Sequence, residues 1–241
     1  MLLAIIATAL AALVQGCLGF GAGILSIGFL SLLWDVKSAA IVLAPVGWVM
    51  VVSLAIQLRR DATIRPLIPI FFGIPVGVAG GIAALESLPS IWLKMMLGVT
   101  LVAFVLQATI KPPTAWSGTH PIAALTAGTL SGFAGGALSS AGPPVLIYAA
   151  LAGWPRDRFR ANLQMIFLVV SSISVIGYSV QGFFRVDTLQ TSALLVPGVM
   201  TGAVLGAKIA PHIPQKTFRS LVIAGLALMG CYFTASPWLV I

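Results

Sequence analysis

Long runs without a charged residue are the feature of this sequence that most restricts its fold. Four such runs are close to the length of a membrane-spanning helix: Ser38 to Leu58, Pro66 to Leu85, Ala161 to Phe184 and Thr188 to Ala207. A helix needs about 20 apolar residues to cross the roughly 30 Å of hydrocarbon in a bilayer. Two further runs, Ser90 to Ile110 and Ser220 to Val240, have Lys94 and Arg219 near an end, where a long basic side chain reaches the lipid headgroups. We therefore predict six ordinary membrane crossings.

The composition agrees with a chain that is mostly surrounded by lipid. Hydrophobic residues make up 59% of it and charged residues 7%, and so few charges do not cover the surface of a water-soluble domain. The net charge of +8 does not indicate nucleic-acid binding, because Lys and Arg lie between apolar runs and not in a patch with interleaved aromatic residues. No basic residue precedes the first apolar run, so we expect no cleaved signal peptide. We predict a multi-pass inner-membrane protein, in contact with lipid.

Two uncharged stretches are too long for one crossing. As single helices, Leu2 to Leu33 and Pro121 to Gly153 would each be about 50 Å long at ~1.5 Å per residue. Each contains a cluster of glycines near its middle, at positions 16 to 23 and 132 to 136. Glycine weakens a helix and permits backbone conformations that break it. We therefore predict that each stretch is a broken helix or re-entrant hairpin.

The charged loops predict how the chain is threaded. Short cytoplasmic loops of membrane proteins carry an excess of Lys and Arg. Three loops are basic, around Arg59 to Arg65, Arg156 to Arg160 and Lys208 to Arg219, whereas the loops at Asp35, Glu86 and Arg185 to Asp187 carry both signs. Placing the basic loops inside and the others outside gives two halves, each with one hairpin and three crossings, and puts both chain ends outside.

An odd number of crossings per half makes the second half inverted relative to the first, provided that the halves are repeats. One ungapped series supports a repeat: the spacing of Gly73, Gly77, Gly81, Pro89 and Lys94 recurs as that of Gly198, Gly202, Gly206, Pro214 and Arg219. The predicted fold is an all-α polytopic membrane protein of two inverted repeats, residues 1–112 and 113–241.

The two breaks are the predicted binding site, and the predicted ligand is a small anion. A helix that restarts after a break has unpaired N–H groups and a partial positive charge at its first turn, and glycines let an anion approach the backbone. Two inverted breaks would meet near the middle of the membrane. The substrate-binding candidates are the break residues and two amide side chains in apolar runs: Gln15, Gly19, Gly21, Gly23, Gly135, Gly136, Ser139, Ser140 and Asn162.

Each candidate also has a structural interpretation. The glycines could only permit close helix packing, as Gly77 and Gly202 are expected to do. The hydroxyl of Ser139 or Ser140 could bond to a carbonyl of its own helix. Gln15 could hold two helices together, and Asn162 could cap the helix that follows the second basic loop.

The sequence contains no candidate residues for catalysis or for metal binding. The five acidic residues lie in or beside loops, so no buried carboxylate indicates a proton relay or a sodium ligand. Cys17 and Cys231 are far apart and support neither a disulfide framework nor a metal site. We predict no enzymatic activity, no cofactor and no metal, and leave the coupling ion and a homo-oligomeric state open.

The sequence from Gly19 to Gly23, together with Gly132 to Gly136 and Pro143-Pro144, resembles the sulfite exporter TauE/SafE family over essentially the whole chain. This resemblance implies a bacterial permease of two related halves that moves sulfite, sulfonates and similar small organosulfur anions. The predicted function is therefore a secondary transporter, working as an exporter of such anions. A channel-like pore for a small solute is the alternative.

Overall fold

The computed structural model describes residues 1–109, 120–209, 223–224 and 226–235, and the regular structure in these residues is helical throughout. Ten α-helices, numbered α1 to α10 in chain order, cover Leu2–Leu18, Ala22–Leu33, Val36–Leu58, Ile68–Ser87, Ser90–Thr109, Pro121–Leu138, Gly142–Leu151, Arg156–Val180, Val186–Ile209 and Leu226–Ala235. Two short 3-10 turns, Arg59–Asp61 and Arg65–Leu67, connect α3 to α4. Five segments in the described part of the chain, around α3, α4, α6, α8 and α9, are long and apolar enough to cross a membrane. The predicted class of a polytopic helical membrane protein is confirmed.

The predicted crossings correspond to helices wherever the chain is described. The four uncharged runs become α3, α4, α8 and α9, and the run that contains Lys94 becomes α5. Of the last predicted crossing, Ser220 to Val240, the structure describes α10 and residues 223–224. Lys216, Arg219, Pro214 and the boundary between residues 112 and 113 lie outside the described residues.

The first break lies within the predicted glycine cluster. Helix α1 ends at Leu18, and Gly19 and Gly21 then adopt φ angles of +86° and +109° before α2 begins at Ala22. Side chains rarely tolerate this region of φ, so glycine is required at both turns. The first uncharged stretch is thus two antiparallel helices joined by a three-residue link.

The predicted position of the second break was wrong. Gly132, Gly135 and Gly136 lie inside α6, which continues to Leu138, and the chain breaks at Ser139 to Ala141 instead. A Cβ on Gly132 or Gly136 would lie 2.5 Å from a backbone oxygen of α4, so these glycines serve helix packing. The break is set by Pro143 and Pro144, which have no N–H to continue α6 and occupy the first turn of α7.

In the described part of the chain, segments that the charge pattern places on the same side are bonded to each other. At the basic end, Thr63 donates its backbone N–H to Asn162 Oδ1 at 2.8 Å, joining the loop after α3 to the start of α8. At the opposite end, called the balanced end because its predicted loops carry charges of both signs, Glu86 accepts two hydrogen bonds. The donors are Lys37 Nζ at 3.2 Å and Gln181 Nε2 at 3.4 Å. The three links hold loops of the same predicted side together. That the basic end faces the cytoplasm stays a prediction.

Glycines bring two pairs of helices into backbone contact. Along α4, Gly73, Gly77 and Gly81 face successive turns of α6, and along α9, Gly198, Gly202 and Gly206 face successive turns of α1. In each pair, later residues of one helix contact later residues of the other, so the two helices are parallel. Helix α6 therefore starts at the basic end, as α4 does, and α1 starts at the balanced end, as α9 does. The two hairpins therefore point in opposite directions. Such reciprocal pairs are what two inverted repeats require, but the repeat relationship itself stays a prediction.

Candidate functional site

A cavity of about 100 Å³ lies between the two breaks. The central part of α3, from Leu43 to Val51, and the central part of α8, from Phe167 to Ser174, form two of its walls. Both helices run from one end of the molecule to the other, so the cavity lies near half depth. This is the place where the sequence predicts the two breaks to meet.

The two breaks touch each other at this cavity. A Cβ built on Gly23 would lie 3.2 Å from the backbone oxygen of Ser139 and 3.9 Å from Ser140 Oγ. The first turns of α2 and α7 both line the cavity, through residues 21 to 23 and 141 to 143. A side chain at position 23 would therefore occupy the gap between the breaks.

The two helix starts differ in what they offer a ligand. In α2, the N–H of Ala22 donates to Gln15 Oε1 at 3.0 Å, whereas the N–H groups of Gly23 and Ile24 have no carbonyl one turn earlier to bond to. In α7, Pro143 and Pro144 replace two of the corresponding donors. The two breaks are therefore not equivalent: the first turn of α2 keeps N–H groups at the positions where α7 has two prolines.

Three buried polar atoms at the cavity have no hydrogen-bond partner among the described residues: Gln15 Nε2, Ser140 Oγ and Ser174 Oγ. Gln15 is 4% exposed, Ser140 2% and Ser174 3%. Buried polar groups are almost always paired, since leaving one unpaired costs about 1–3 kcal/mol. Their shared position indicates that a polar ligand or water completes them.

Ser174 was not among the sequence candidates. It lies on α8, one helical turn beyond Ser171, and both residues line the cavity. The hydroxyl of Ser171 donates to the carbonyl of Leu168 at 3.2 Å, whereas that of Ser174 is unpaired. The two serines one turn apart in the middle of an apolar helix are a signal that could have indicated this wall of the cavity, and the structure shows which of the two hydroxyls is unpaired.

Six of the nine predicted residues line the cavity: Gln15, Gly21, Gly23, Gly135, Ser139 and Ser140. Ser139 contributes its backbone, because its hydroxyl donates to the carbonyl of Ala40 at 2.7 Å. It has a positive φ of 51° as the first residue of the break, where it caps α6.

The other three predicted residues have contacts elsewhere. The carbonyl of Gly19 accepts a hydrogen bond from Gln164 Nε2 at 3.0 Å, and the carbonyl of Gly136 accepts one from the Tyr178 hydroxyl at 2.8 Å. Asn162 is bonded to Thr63 at the basic end. We therefore leave Gly19, Gly136 and Asn162 out of the proposed site.

The rest of the cavity wall is uncharged and mostly apolar, with Thr8 and Ser26 as further polar lining residues. Val46, Met50 and Val51 come from α3, and Phe167 and Val170 come from α8. No Lys, Arg, His, Asp or Glu is among the described residues that line it. Among these described residues, no group of three or more His, Cys, Asp or Glu could hold a metal ion. The site therefore offers neutral hydrogen-bond donors in apolar surroundings.

An aromatic cluster and one arginine adjoin the first break. The ring of Phe20 packs 6.0 Å from that of Phe104, which lines the cavity, and 6.3 Å from that of Phe159 near the basic end of α8. The side chain of Arg160 covers Gly19, and its Nε atom is buried without a partner among the described residues. Aromatic rings and a positive charge thus separate the cavity from the basic end.

Comparison with known families gives a match over most of the chain. The family model described as Sulfite exporter TauE/SafE matches residues 4–233, which include both breaks and all the cavity-lining helices. Comparison with curated proteins finds no match, and comparison with solved structures finds none either. Proteins of this family are membrane transporters of sulfur compounds rather than enzymes. The match covers nearly the whole chain, and the protein therefore belongs to the sulfite exporter TauE/SafE family.

Proposed function

We propose that this protein is a secondary transporter that exports small sulfur-containing anions, such as sulfite or sulfonates, and binds them in the cavity between the two breaks. The observation that carries the proposal is the set of three buried, unpaired polar groups beside the start of α2. An anion that leaves water must regain its hydrogen bonds from the protein. This cavity is where the described part of the chain offers several unpaired donors together.

The donors suit an oxyanion. The N–H groups of Gly23 and Ile24 lie in the first turn of α2, where the helix dipole places a partial positive charge. Gln15 Nε2 and the hydroxyl of Ser140 add neutral donors from the two sides of the gap. Hydrogen bonds to a charged group are worth about 1.5–3 kcal/mol each in a site without water.

The surroundings of the first break suit export from the basic end. Arg160 is a positive charge next to Gly19, and a positive charge at the mouth of a path raises the local concentration of anions. Phe20 would have to move away from Phe104 for an anion to pass from there to the cavity. We expect the protein to alternate between states in which this cluster is closed and open.

A carrier fits the site better than a channel. The two breaks are in contact through Gly23 and Ser139, so no open passage runs between them at this point. Flux measurements separate the two mechanisms: a carrier saturates with substrate and exchanges labelled for unlabelled substrate across the membrane, whereas an open pore does neither.

The experiment that tests the proposed site compares Gly23→Ala with Gly47→Ala. Both glycines are helical and line the cavity, but a Cβ at position 47 meets nothing within 4 Å, whereas one at position 23 lies 3.2 Å from Ser139 O. We expect Gly23→Ala to weaken binding of methanesulfonate or sulfite by about tenfold to a hundredfold, since the added methyl group displaces at least one hydrogen bond to the anion. Gly47→Ala should bind within about threefold of wild type.

Binding is measured by calorimetry on monodisperse protein, with exchange of labelled sulfite in proteoliposomes as the functional assay. If Gly23→Ala is folded and keeps full affinity and exchange, the anion does not bind between the breaks. If the wild-type protein neither binds nor exchanges any of these anions, the proposed function is wrong.

A further inference from the structure

We infer that the cavity selects its ligand by charge, and that it takes a monoanion with a short apolar arm while rejecting divalent anions and zwitterions. This inference rests on the proposed function, because it assigns a substrate class to the same cavity. Its basis is the absence of charged side chains among the described residues of the wall, combined with the three unpaired polar atoms.

The groups around the cavity can stabilise one negative charge. The start of a helix is equivalent to about half an elementary positive charge, and the unpaired groups of Gln15, Ser140 and Ser174 are neutral donors. The cost of moving an ion out of water rises with the square of its charge, and neutral donors do not compensate a second unit in an apolar site. A divalent anion would need a Lys or Arg in the wall.

A positive charge on the ligand is disfavoured for the complementary reason. No described lining residue is a carboxylate, and the walls from α3 and α8 present Val46, Met50, Phe167 and Val170. An ammonium group buried there would lose its hydration and find only neutral hydroxyl and carbonyl acceptors, with no carboxylate to balance its charge. An aminosulfonate should therefore bind less well than the sulfonate that lacks the amino group.

The same walls favour an apolar arm, and the volume limits it. The cavity measures about 100 Å³. Measured in the same way, one water molecule needs about 10–15 Å³. There is room for an oxyanion head and a methyl or ethyl group, and not for a large organic substituent. The arm would displace water from apolar surface, which is favourable.

Sulfite gives the sharpest case, since near neutral pH it exchanges between a monoanion, hydrogensulfite, and a dianion. The titratable groups on the surrounding helices are directed elsewhere. Cys17 is bonded to Gly206 O, Tyr148 packs on Trp154, Tyr178 is bonded to Gly136 O, and Arg160 covers Gly19. The other described charged side chains of the helices that contribute to the wall are not among the lining residues: Lys37, Lys94, Asp157, Arg158, Asp187 and Lys208. The pH dependence of sulfite binding should therefore come from the ligand.

The test measures binding of four ligands to the purified full-length protein across a range of pH. Methanesulfonate is a monoanion throughout and should bind with an affinity that does not change with pH. The affinity for total sulfite should fall about tenfold per pH unit above the second ionisation of sulfite, because only the monoanion binds. Sulfate and taurine should bind at least about tenfold more weakly than methanesulfonate.

Two serine variants on α8 provide the matched control. Ser174→Ala removes an unpaired hydroxyl and should weaken methanesulfonate binding about tenfold to a hundredfold without lowering the melting temperature. Ser171→Ala removes a hydroxyl that is already bonded to Leu168 O and should change the affinity less than about threefold.

Three results would overturn the inference. They are sulfate binding as tightly as methanesulfonate, sulfite affinity rising with pH, and equal effects of the two serine variants. Any of these leaves the proposed transport of sulfur-containing anions intact, provided that binding is observed. If neither methanesulfonate nor sulfite binds at any pH, the proposed function and the inference both fail.

Discussion

Replacing one glycine between α4 and α6 should destabilise the protein far more than replacing its near neighbour. Gly77 presses on α6: a Cβ there would overlap the carbonyl of Thr129 and lie 2.8 Å from the backbone nitrogen of Phe133. Gly80, three residues further along α4, would place its Cβ 3.5 Å from the ring of Phe133, which is ordinary contact. Gly77→Ala and Gly80→Ala therefore make the same chemical change in one helix with opposite steric consequences.

The magnitude follows from the distance by which α4 and α6 must separate. Relieving the overlap at Gly77 requires the two helices to separate by roughly 1 Å. Such a separation removes about a quarter to a half of the dispersion energy of each atom pair between α4 and α6. For some 40 atom pairs at ~0.15 kcal/mol each, the loss is about 2 kcal/mol, which agrees with the 1–3 kcal/mol usual for overpacking. At Gly80 the better helix propensity of alanine should instead stabilise by up to ~1 kcal/mol.

The assay is thermal unfolding of detergent-purified protein, followed by a fluorescence or light-scattering signal. For a chain of this size, 2 kcal/mol lowers the melting temperature by about 4–8 °C, so Gly77→Ala should melt well below wild type and Gly80→Ala at or slightly above it. If both variants melt within about 2 °C of wild type, the backbone contact between α4 and α6 does not hold the helices together. If Gly80→Ala is the less stable variant, the assignment of the packing face is wrong.

Three further predictions concern topology, coupling and the basic end. In intact cells, an impermeant thiol reagent should label a cysteine introduced at Glu86 and not one at Arg60, and the reverse pattern would contradict the assignment of the basic end to the cytoplasm. Glu86→Gln should retain transport because this carboxylate is at the balanced end, outside the cavity; loss of transport by correctly inserted protein would make it a coupling group. Asn162→Ala removes the hydrogen bonds to Thr63 and should lower stability by about 1–2 kcal/mol without altering methanesulfonate affinity, whereas a selective loss of affinity would place Asn162 at the site.

The features that sequence could predict were those with an unambiguous physical signal. Two stretches, from Leu2 and from Pro121, are too long for one crossing and become hairpins, because a 30 Å bilayer limits the length of an apolar helix. The charges of the loops also predicted which loops meet, as the bonds from Thr63 to Asn162 and from Lys37 to Glu86 illustrate.

The features that sequence could not predict depend on which neighbour a residue meets. Glycine serves both as a helix breaker and as a packing surface, and only the position of α4 shows that Gly132 and Gly136 are of the second kind. The pair Pro143-Pro144 carried the better signal for the second break, since proline cannot continue a helix from the preceding turn, whereas glycine can lie inside one. Ser174 could not be distinguished from Ser171 without knowing which hydroxyl has a partner.

The close glycine contacts between α1 and α9 and between α4 and α6 also bear on which parts of the chain move as rigid bodies. Helices α1 and α9 are in backbone contact, as are α4 and α6, so each pair should shift as one unit while the gap at Gly23 and Ser139 opens and closes. Each unit takes one helix from the first half of the sequence and one from the second. The units that we expect to move are therefore not the two sequence halves, and a chain divided between residues 112 and 113 would yield two fragments that each lack half of both units. Such fragments should be recovered as a working protein only when they are made together in the same membrane.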